Sequence, residues 1–262
     1  MQKKPFDKYE YYTRAVQSPD VDVEFLTDTY RDLRKKKPSS MREDFCGTFA
    51  LSAEWVKFKK DNVAWGLDLD PEPLAYGHQH YFAKLKPEQQ ERLHILKRNV
   101  MIGTPEKVDI IAAMNFSYFI FKSRLLLKSY FKRAYAGLKN DGIMILDCFG
   151  GALCEEPNEE KRKIDEFNYF WDQKSFNPVT HEALFYIHFQ RKGEPKRKKV
   201  FTYDWRMWSI PELRDILHEV GFKRTTIYWE GTGRDGEGNG VFTKTEKGDD
   251  SNAWVAYIAA ER

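Results

Sequence analysis

The sequence predicts an α/β protein, a mostly parallel sheet with helices on both faces. The stretch Ser40 to Pro71 reads as a short strand, a tight turn, a helix and a second strand ending in acid. Val108 to Met114 (VDIIAAM) is the near-continuous apolar run that a parallel strand buried on both faces requires. Further strand-like runs alternate with helical spacings on either side, the pattern of an α/β fold. The chain's 262 residues suffice for one large domain, or for one domain carrying an insertion.

Residues 1–37 precede the sheet. Tyr9, Tyr11, Tyr12 and Val16 fit a short helix ended by Ser18-Pro19, and Val23, Leu26, Tyr30 and Leu33 form the apolar stripe of a second. Met41 to Asp44 is the first strand. Cys46-Gly47-Thr48 supplies small residues where the backbone must turn sharply. Phe49, Leu51, Ala53, Val56 and Phe58 recur at helical spacing, and Val63 to Asp70 is a strand whose C-terminal end carries two carboxylates. Asp70 N-caps a helix opened by Pro71. His94 to Asn99 is the third strand, residues 100–107 a loop, and Val108 to Met114 the fourth strand. A long helix is expected over Phe119 to Leu138, with Leu125, Leu126, Phe131 and Leu138 toward the sheet. Asn140-Asp141-Gly142 is a turn before the fifth strand, Ile143 to Phe149.

From Gly150 the alternation breaks. A helix is expected around Glu159 to Phe170, then a hairpin of His181–Arg191 and Lys199–Trp208 about the turn Lys192–Pro195. Ser209 and Glu212 form a capping box for a helix ending at Gly221. Lys223 to Glu230 is a strand, Gly231 to Gly248 a Gly-rich polar loop, and Ala253 to Ala260 the closing strand. The organisation expected is an N-terminal helical lid (1–37) and a main domain (38–262) in which an insertion (150–208) forms part of a ligand pocket.

Composition narrows the function. The hydrophobic fraction of 41% fills a core, and a net charge of +3 leaves nucleic acid possible but not favoured as a partner. The clusters Lys35–Lys37 and Lys196–Lys199 read as solvated turns. Three cysteines without a C-x-x-C pair, and six scattered histidines, offer no metal site; none is expected. There is no Gly-x-Ser-x-Gly elbow for a nucleophilic serine. The first residues lack the apolar core of a leader and no apolar run approaches spanning length, so a cytoplasmic protein, monomeric or dimeric and without a membrane partner, is expected.

A strand, a glycine turn, a helix and a strand ending in acid make a nucleotide-binding half-unit: helix amides face the ligand, and an acid roughly 20 residues after the turn accepts ribose hydroxyls. The G-x-G-x-x-G fingerprint of dinucleotide sites is absent, which disfavours a pyrophosphate. REDFCGTFALSAEW resembles the first motif of class I S-adenosylmethionine-dependent methyltransferases, an acid followed by a Gly-x-Gly-x-Gly-like turn. GLDLDPEPLAYG resembles that family's second motif, and Leu138 to Gly142 its Leu-x-x-Asp-Gly feature. The sequence departs from the pattern at Phe45 and Phe49, which stand where the family has its outer glycines.

The resemblance covers roughly Ser40 to the C-terminus. It implies a Rossmann-like, seven-stranded, mostly parallel sheet with S-adenosyl-L-methionine as cofactor and in-line methyl transfer to nitrogen, oxygen or sulfur of a small-molecule substrate. Glu43 or Asp44, with Cys46, Gly47 and Thr48, would surround the cofactor's amino-acid part. Asp68, followed by Leu69, would hold the ribose, and Asn99 with Val100 the adenine. Asn115 and Phe116 would line the floor near the sulfonium. Candidates for the substrate are Tyr11, Tyr12 and Arg14 on the N-terminal helix, Tyr118, Asp147, Tyr203, Trp205, Arg206 and Trp208. No residue emerges as a catalytic base. The competing readings are methylation of RNA or protein, and a non-catalytic protein that binds a nucleoside or a partner.

Overall fold

The computed structural model describes residues 5–233 and 236–262. The first four residues of the N-terminal extension, and two positions of the Gly-rich loop, lie outside the described residues.

Eight strands form the main sheet: β1 (Ser40–Asp44), β2 (Val63–Asp68), β3 (Leu93–Lys97), β4 (Val108–Ala113), β5 (Leu138–Gly150), β10 (Arg224–Thr232), β11 (Gly238–Thr245) and β12 (Trp254–Glu261). Their order is β11-β10-β12-β5-β4-β1-β2-β3. The five from β3 to β5 are parallel, and β12, β10 and β11 add on antiparallel. Seven correspond to the strands expected. The eighth, β11, comes from the Gly-rich stretch expected as loop, and its backbone pairs in register with β10 from Ile227↔Thr245 to Glu230↔Phe242. Pairing with a neighbour, which local composition does not reveal, makes it a strand.

One face of the sheet is covered by α2 (Pro19–Arg34), α3 (Ala50–Phe58) and α4 (Pro71–His80), through Val23, Leu26, Trp55 and Leu74. The other is covered by α6 (Arg124–Gly137) and α7 (Ile210–Val220), through Leu127, Phe131, Leu213 and Ile216. Between α4 and β3 lies the single-turn α5 (Pro87–Gln90). The helix expected from Phe119 starts later: Ser117–Ile120 is a 3-10 turn and Ser123 caps α6 through the Leu126 amide. This start turns Leu125 and Leu126 outward, 78% and 52% exposed, so they do not cover the sheet as expected.

The insertion is a second, four-stranded antiparallel sheet: β6 (Asn158–Ile164), β7 (Phe167–Asn177), β8 (Glu182–Arg191) and β9 (Arg197–Arg206). β8 and β9 are the expected hairpin. The helix expected over Glu159–Phe170 is instead β6, a turn at Asp165 (φ 45°) and the start of β7. Phe167, Tyr169 and Trp171 alternate along β7, and aromatic side chains favour the pleated, half-buried surface they form against β8.

The N-terminal helix α1 (Lys8–Val16) joins the two sheets. Asp7 caps it, accepting from the amides of Tyr9 and Glu10. Tyr11 packs on Phe167 and Phe189 of the small sheet, with ring centroids 4.5 and 5.9 Å away. On the other side Asp7 accepts from the Tyr76 hydroxyl at 3.1 Å, and Thr13 bonds Tyr81 at 3.2 Å, both against the α4 end of the main domain. No helix among the described residues is long and apolar enough to cross a membrane.

Candidate functional site

At the C-terminal ends of β1, β2 and β4, where open α/β sheets place their ligands, lies a cavity of about 240 Å³. Its base is the turn after β1. Phe45, Gly47 and Phe49 have φ of 60°, 51° and 51°, so the left-handed conformations of a glycine turn are kept although two positions are phenylalanine. Such conformations are strained for bulky residues. Packing holds them there: Phe45 lies between Phe121 and Tyr130, and Phe49 is buried against His78. Gly77 makes this possible, since a Cβ there would stand 2.2 Å from the Thr48 carbonyl and 2.4 Å from the Phe49 ring.

The neighbouring acids of β1 point to opposite faces, as strand geometry requires. Asp44 accepts from Arg42 Nε at 2.8 Å, Arg42 Nη2 at 3.0 Å and the Tyr130 hydroxyl at 2.9 Å, bonds that turn its carboxylate toward β1 and α6. Glu43 accepts from the Ser52 amide at 2.9 Å and hydroxyl at 2.5 Å, which ties β1 to the first turn of α3. Burial pushes its carboxyl up to about 8, against the Ser52 bonds. Burial likewise raises the Cys46 thiol.

Asp68, at the end of β2, accepts from the Gly47 amide at 2.8 Å and the Asp70 amide at 2.9 Å, one bond per oxygen. Each carboxylate oxygen has two lone pairs, so both keep acceptor capacity toward the cavity. Across from it, Asn115 and Phe116 are successive left-handed residues (φ 58° and 56°) whose amides both donate to Asp147, at 2.6 and 2.8 Å. Burial pushes the Asp147 carboxyl up to about 7, opposed by these two bonds.

The cavity lining brings together Glu43, Asp44, Cys46, Gly47, Thr48, Asp68 and Asn115 of the cofactor candidates, and Tyr12 and Tyr203 of the substrate candidates. Leu69, Asn99, Val100 and Phe116 lie outside it. Leu69 is 57% exposed, Val100 is in the core, and Asn99 accepts from the Met101 amide in its own turn. Phe116 packs on Phe149. Tyr11, Arg14, Tyr118, Asp147, Trp205, Arg206 and Trp208 are outside the lining too. Arg14 pairs with Asp165 and Glu166 of the small sheet. The Tyr118 hydroxyl donates to the Asp147 carbonyl, Trp205 and Trp208 are buried, and Arg206 pairs with Glu212 over the Trp208 ring.

Sequence reasoning named Tyr12 and Tyr203 but missed other residues that line the cavity. Tyr9 and Gln17 reach the cavity from α1 and its end, Phe201 from β9, and Met114 and Ser117 from the segment after β4. Phe201 was findable: it shares the alternating face of β9 with Tyr203. The Tyr12 and Tyr203 hydroxyls face each other across the roof of the cavity, and burial raises both phenols. Among the described residues the lining contains four acidic residues, five aromatic rings and no lysine, arginine or histidine. Two of the four acids leave no charge free for a ligand, since burial raises the Glu43 carboxyl to about 8 and Asp44 is paired with Arg42.

No family model matches the chain, and no curated protein matches it. Solved structures do. A S-adenosylmethionine-dependent methyltransferase from Clostridium acetobutylicum superposes with a TM-score of 0.68 at 18% identity, covering 97% of this chain and 96% of that one. An amino pentose methyltransferase of calicheamicin biosynthesis from Micromonospora echinaspora, bound to S-adenosylmethionine, gives 0.68 at 11% identity over the full length of both. A sugar N-methyltransferase from a Streptoalloteichus species gives 0.65 at 12%, covering 100% of this chain and 95% of that one. From end to end, the chain has the fold of the class I S-adenosylmethionine-dependent methyltransferases.

Proposed function

We propose that the protein is an S-adenosylmethionine-dependent methyltransferase acting on a small molecule. The observation that carries this reading is the cavity at the ends of β1, β2 and β4, lined by Asp68, the Gly47 turn and five aromatic rings, with no cation among the described residues. The residues suit the cofactor: the free acceptor capacity of Asp68 matches two ribose hydroxyls, and the aromatic rings match a cationic ligand without phosphates. S-adenosylmethionine supplies an electrophilic methyl group on a sulfonium sulfur. The chain's part is to position and to exclude water. Asp68 and the Gly47–Thr48 turn would hold the nucleoside. Tyr9, Tyr12, Phe201 and Tyr203 would close over the reacting end, with Asn115 fixed beneath by Asp147.

A small acceptor is favoured over RNA because the basic turn of the small sheet is spent on its own packing. Lys196 pairs with Glu159 and lies 3.6 Å from the Phe170 ring centroid, Arg197 stacks on Phe6, and Lys199 on Tyr186. Calorimetric titration with S-adenosylmethionine, S-adenosylhomocysteine and NAD tests the proposal. Micromolar binding of the first two and none of NAD is expected, with a loss of about 10-fold or more in Asp68→Ala, the equivalent of one charge-assisted hydrogen bond. A folded protein that binds neither sulfur ligand overturns it.

A further inference from the structure

The small sheet has two edges, and they differ. β9 is tied to the segment before α6, where Lys122 pairs with Asp204 and its carbonyl accepts from Arg206 at 3.3 Å. β6, at the other end, has no backbone partner on its outer side among the described residues. Glu159 to Lys163 are all exposed, so the strand presents a row of open amides and carbonyls. Such an edge recruits another strand unless its side chains forbid it, and charge is the usual barrier.

The exposed part of β6 is charged throughout, as Glu159, Glu160, Lys161, Arg162 and Lys163, but the signs are segregated: acids first, cations after. A parallel copy in register meets like charge at all five positions. An antiparallel copy, turned about a twofold axis through Lys161, sets Glu159 opposite Lys163 and Glu160 opposite Arg162, twice each. One like pair remains, Lys161 on itself, and that ammonium lies over the Phe170 ring of its own sheet, 6.0 Å from the centroid. Opposite charges facing across an antiparallel pair stabilise it, and like charges destabilise it. A twofold axis perpendicular to the sheet keeps each side chain on its own face, so the register can move only in steps of two. One step either way loses the match: it opposes Glu160 to itself, or sets Arg162 on itself and Lys161 on Lys163. The side chains are available. Glu160 and Lys163 form no ion pair among the described residues, and Glu159 pairs with Lys196. Arg162 stacks on Tyr169 and donates one N–H to the Ala15 carbonyl, which leaves other donors of its guanidinium.

We propose that β6 is the docking edge for a second copy of this chain, which pairs antiparallel with it and joins the two four-stranded sheets into one continuous sheet. The contact uses the same patch on both copies and therefore closes at two. The Arg162 bond to Ala15 places it beside α1, the helix that roofs the cavity. Pairing of β6 does not depend on what that cavity binds.

Analytical ultracentrifugation of the full chain is the test. The protein is expected to dimerise in the micromolar range at low salt and more weakly at high salt, since exposed ion pairs are screened. Glu160→Arg and Lys163→Glu each turn two opposite-charge contacts into like ones and should each weaken the dimer about 10-fold or more. The double variant Glu160→Arg with Arg162→Glu is complementary again and should recover it. An equimolar mixture of Glu160→Arg with Arg162→Glu should form the mixed pair, although neither protein dimerises alone. A wild-type chain that stays monomeric at about 100 µM, a dimer indifferent to both Glu160→Arg and Lys163→Glu, or a folded double variant that does not recover overturns the proposal. Circular dichroism checks each fold. Glu160 and Lys163 are exposed, so their two single variants decide the matter even if Arg162→Glu does not fold.

Discussion

Replacing Glu43 by glutamine should stabilise the protein at alkaline pH and leave it nearly unchanged in acid. Glu43 is buried, and its carboxyl is raised from 4.5 to about 8. Below about pH 4.5 it is protonated whether the chain is folded or not, so its ionisation contributes nothing. Between about pH 5 and 8 the folded state holds a proton that the unfolded state releases. The wild-type protein therefore loses up to about 1.4 kcal/mol of stability per pH unit relative to Glu43→Gln across that window. Above about pH 8 the difference levels off. Glutamine keeps an oxygen to accept from the Ser52 amide and hydroxyl, so at pH 5 the two proteins should agree within about 1 kcal/mol. Asp22 and Asp147 titrate in both proteins and largely cancel in the comparison. Urea denaturation at half-unit steps from pH 4.5 to 9 measures the difference. A pH-independent gap, or a glutamine variant that is the weaker protein at pH 8.5, would refute a protonated, desolvated Glu43.

Two other outcomes follow from the same geometry. Asp109 receives the amides of Ser39 and Ser40, the Ser40 hydroxyl and Lys139; burial opposes ionisation, but these bonds hold its carboxyl below the usual range. Asp109→Asn should therefore lose about 2–3 kcal/mol at pH 7, with the gap closing as pH falls below about 4, read from urea midpoints at pH 7 and 3. Gly77→Ala forces a methyl into the Thr48 carbonyl and the Phe49 ring, so it should lose about 1–3 kcal/mol and weaken S-adenosylmethionine binding together; thermal melting and calorimetry check both, and an unchanged affinity would show that the glycine-turn geometry does not set the site.

Seven of the eight strands of the main sheet were legible because each carries its own signal, such as the apolar run of β4 and the acid-ended β2; β11 lay in a stretch expected as loop, and the turn expected at Asn140–Gly142 is instead part of β5. The division of labour between Glu43 and Asp44 was not. It depends on which face of β1 meets α3, and the partners that decide it, Ser52 and Tyr130, lie 9 and 86 residues away. The insertion was misread for a related reason. Glu159 to Lys163 is charged and suits a helix or a strand, and its conformation is settled by pairing with β7. The lining of the cavity draws on residues near positions 9, 115 and 201, and no local spacing links them.

The roof also sets a clock. Ligand pockets usually offer about 300–1,000 Å³, and the cavity under α1 holds about 240 Å³. α1 is held to α4 by a small set of contacts among the described residues, including Asp7 to Tyr76, Thr13 to Tyr81, Lys8 to Glu72 and the Tyr9 ring on Tyr76 at 4.8 Å. On the proposed reading, capture of the cofactor waits for this helix to lift. The observed association rate should then level off with rising ligand concentration at the opening rate, whereas a permanently open site would rise in proportion at about 10⁵–10⁷ M⁻¹s⁻¹.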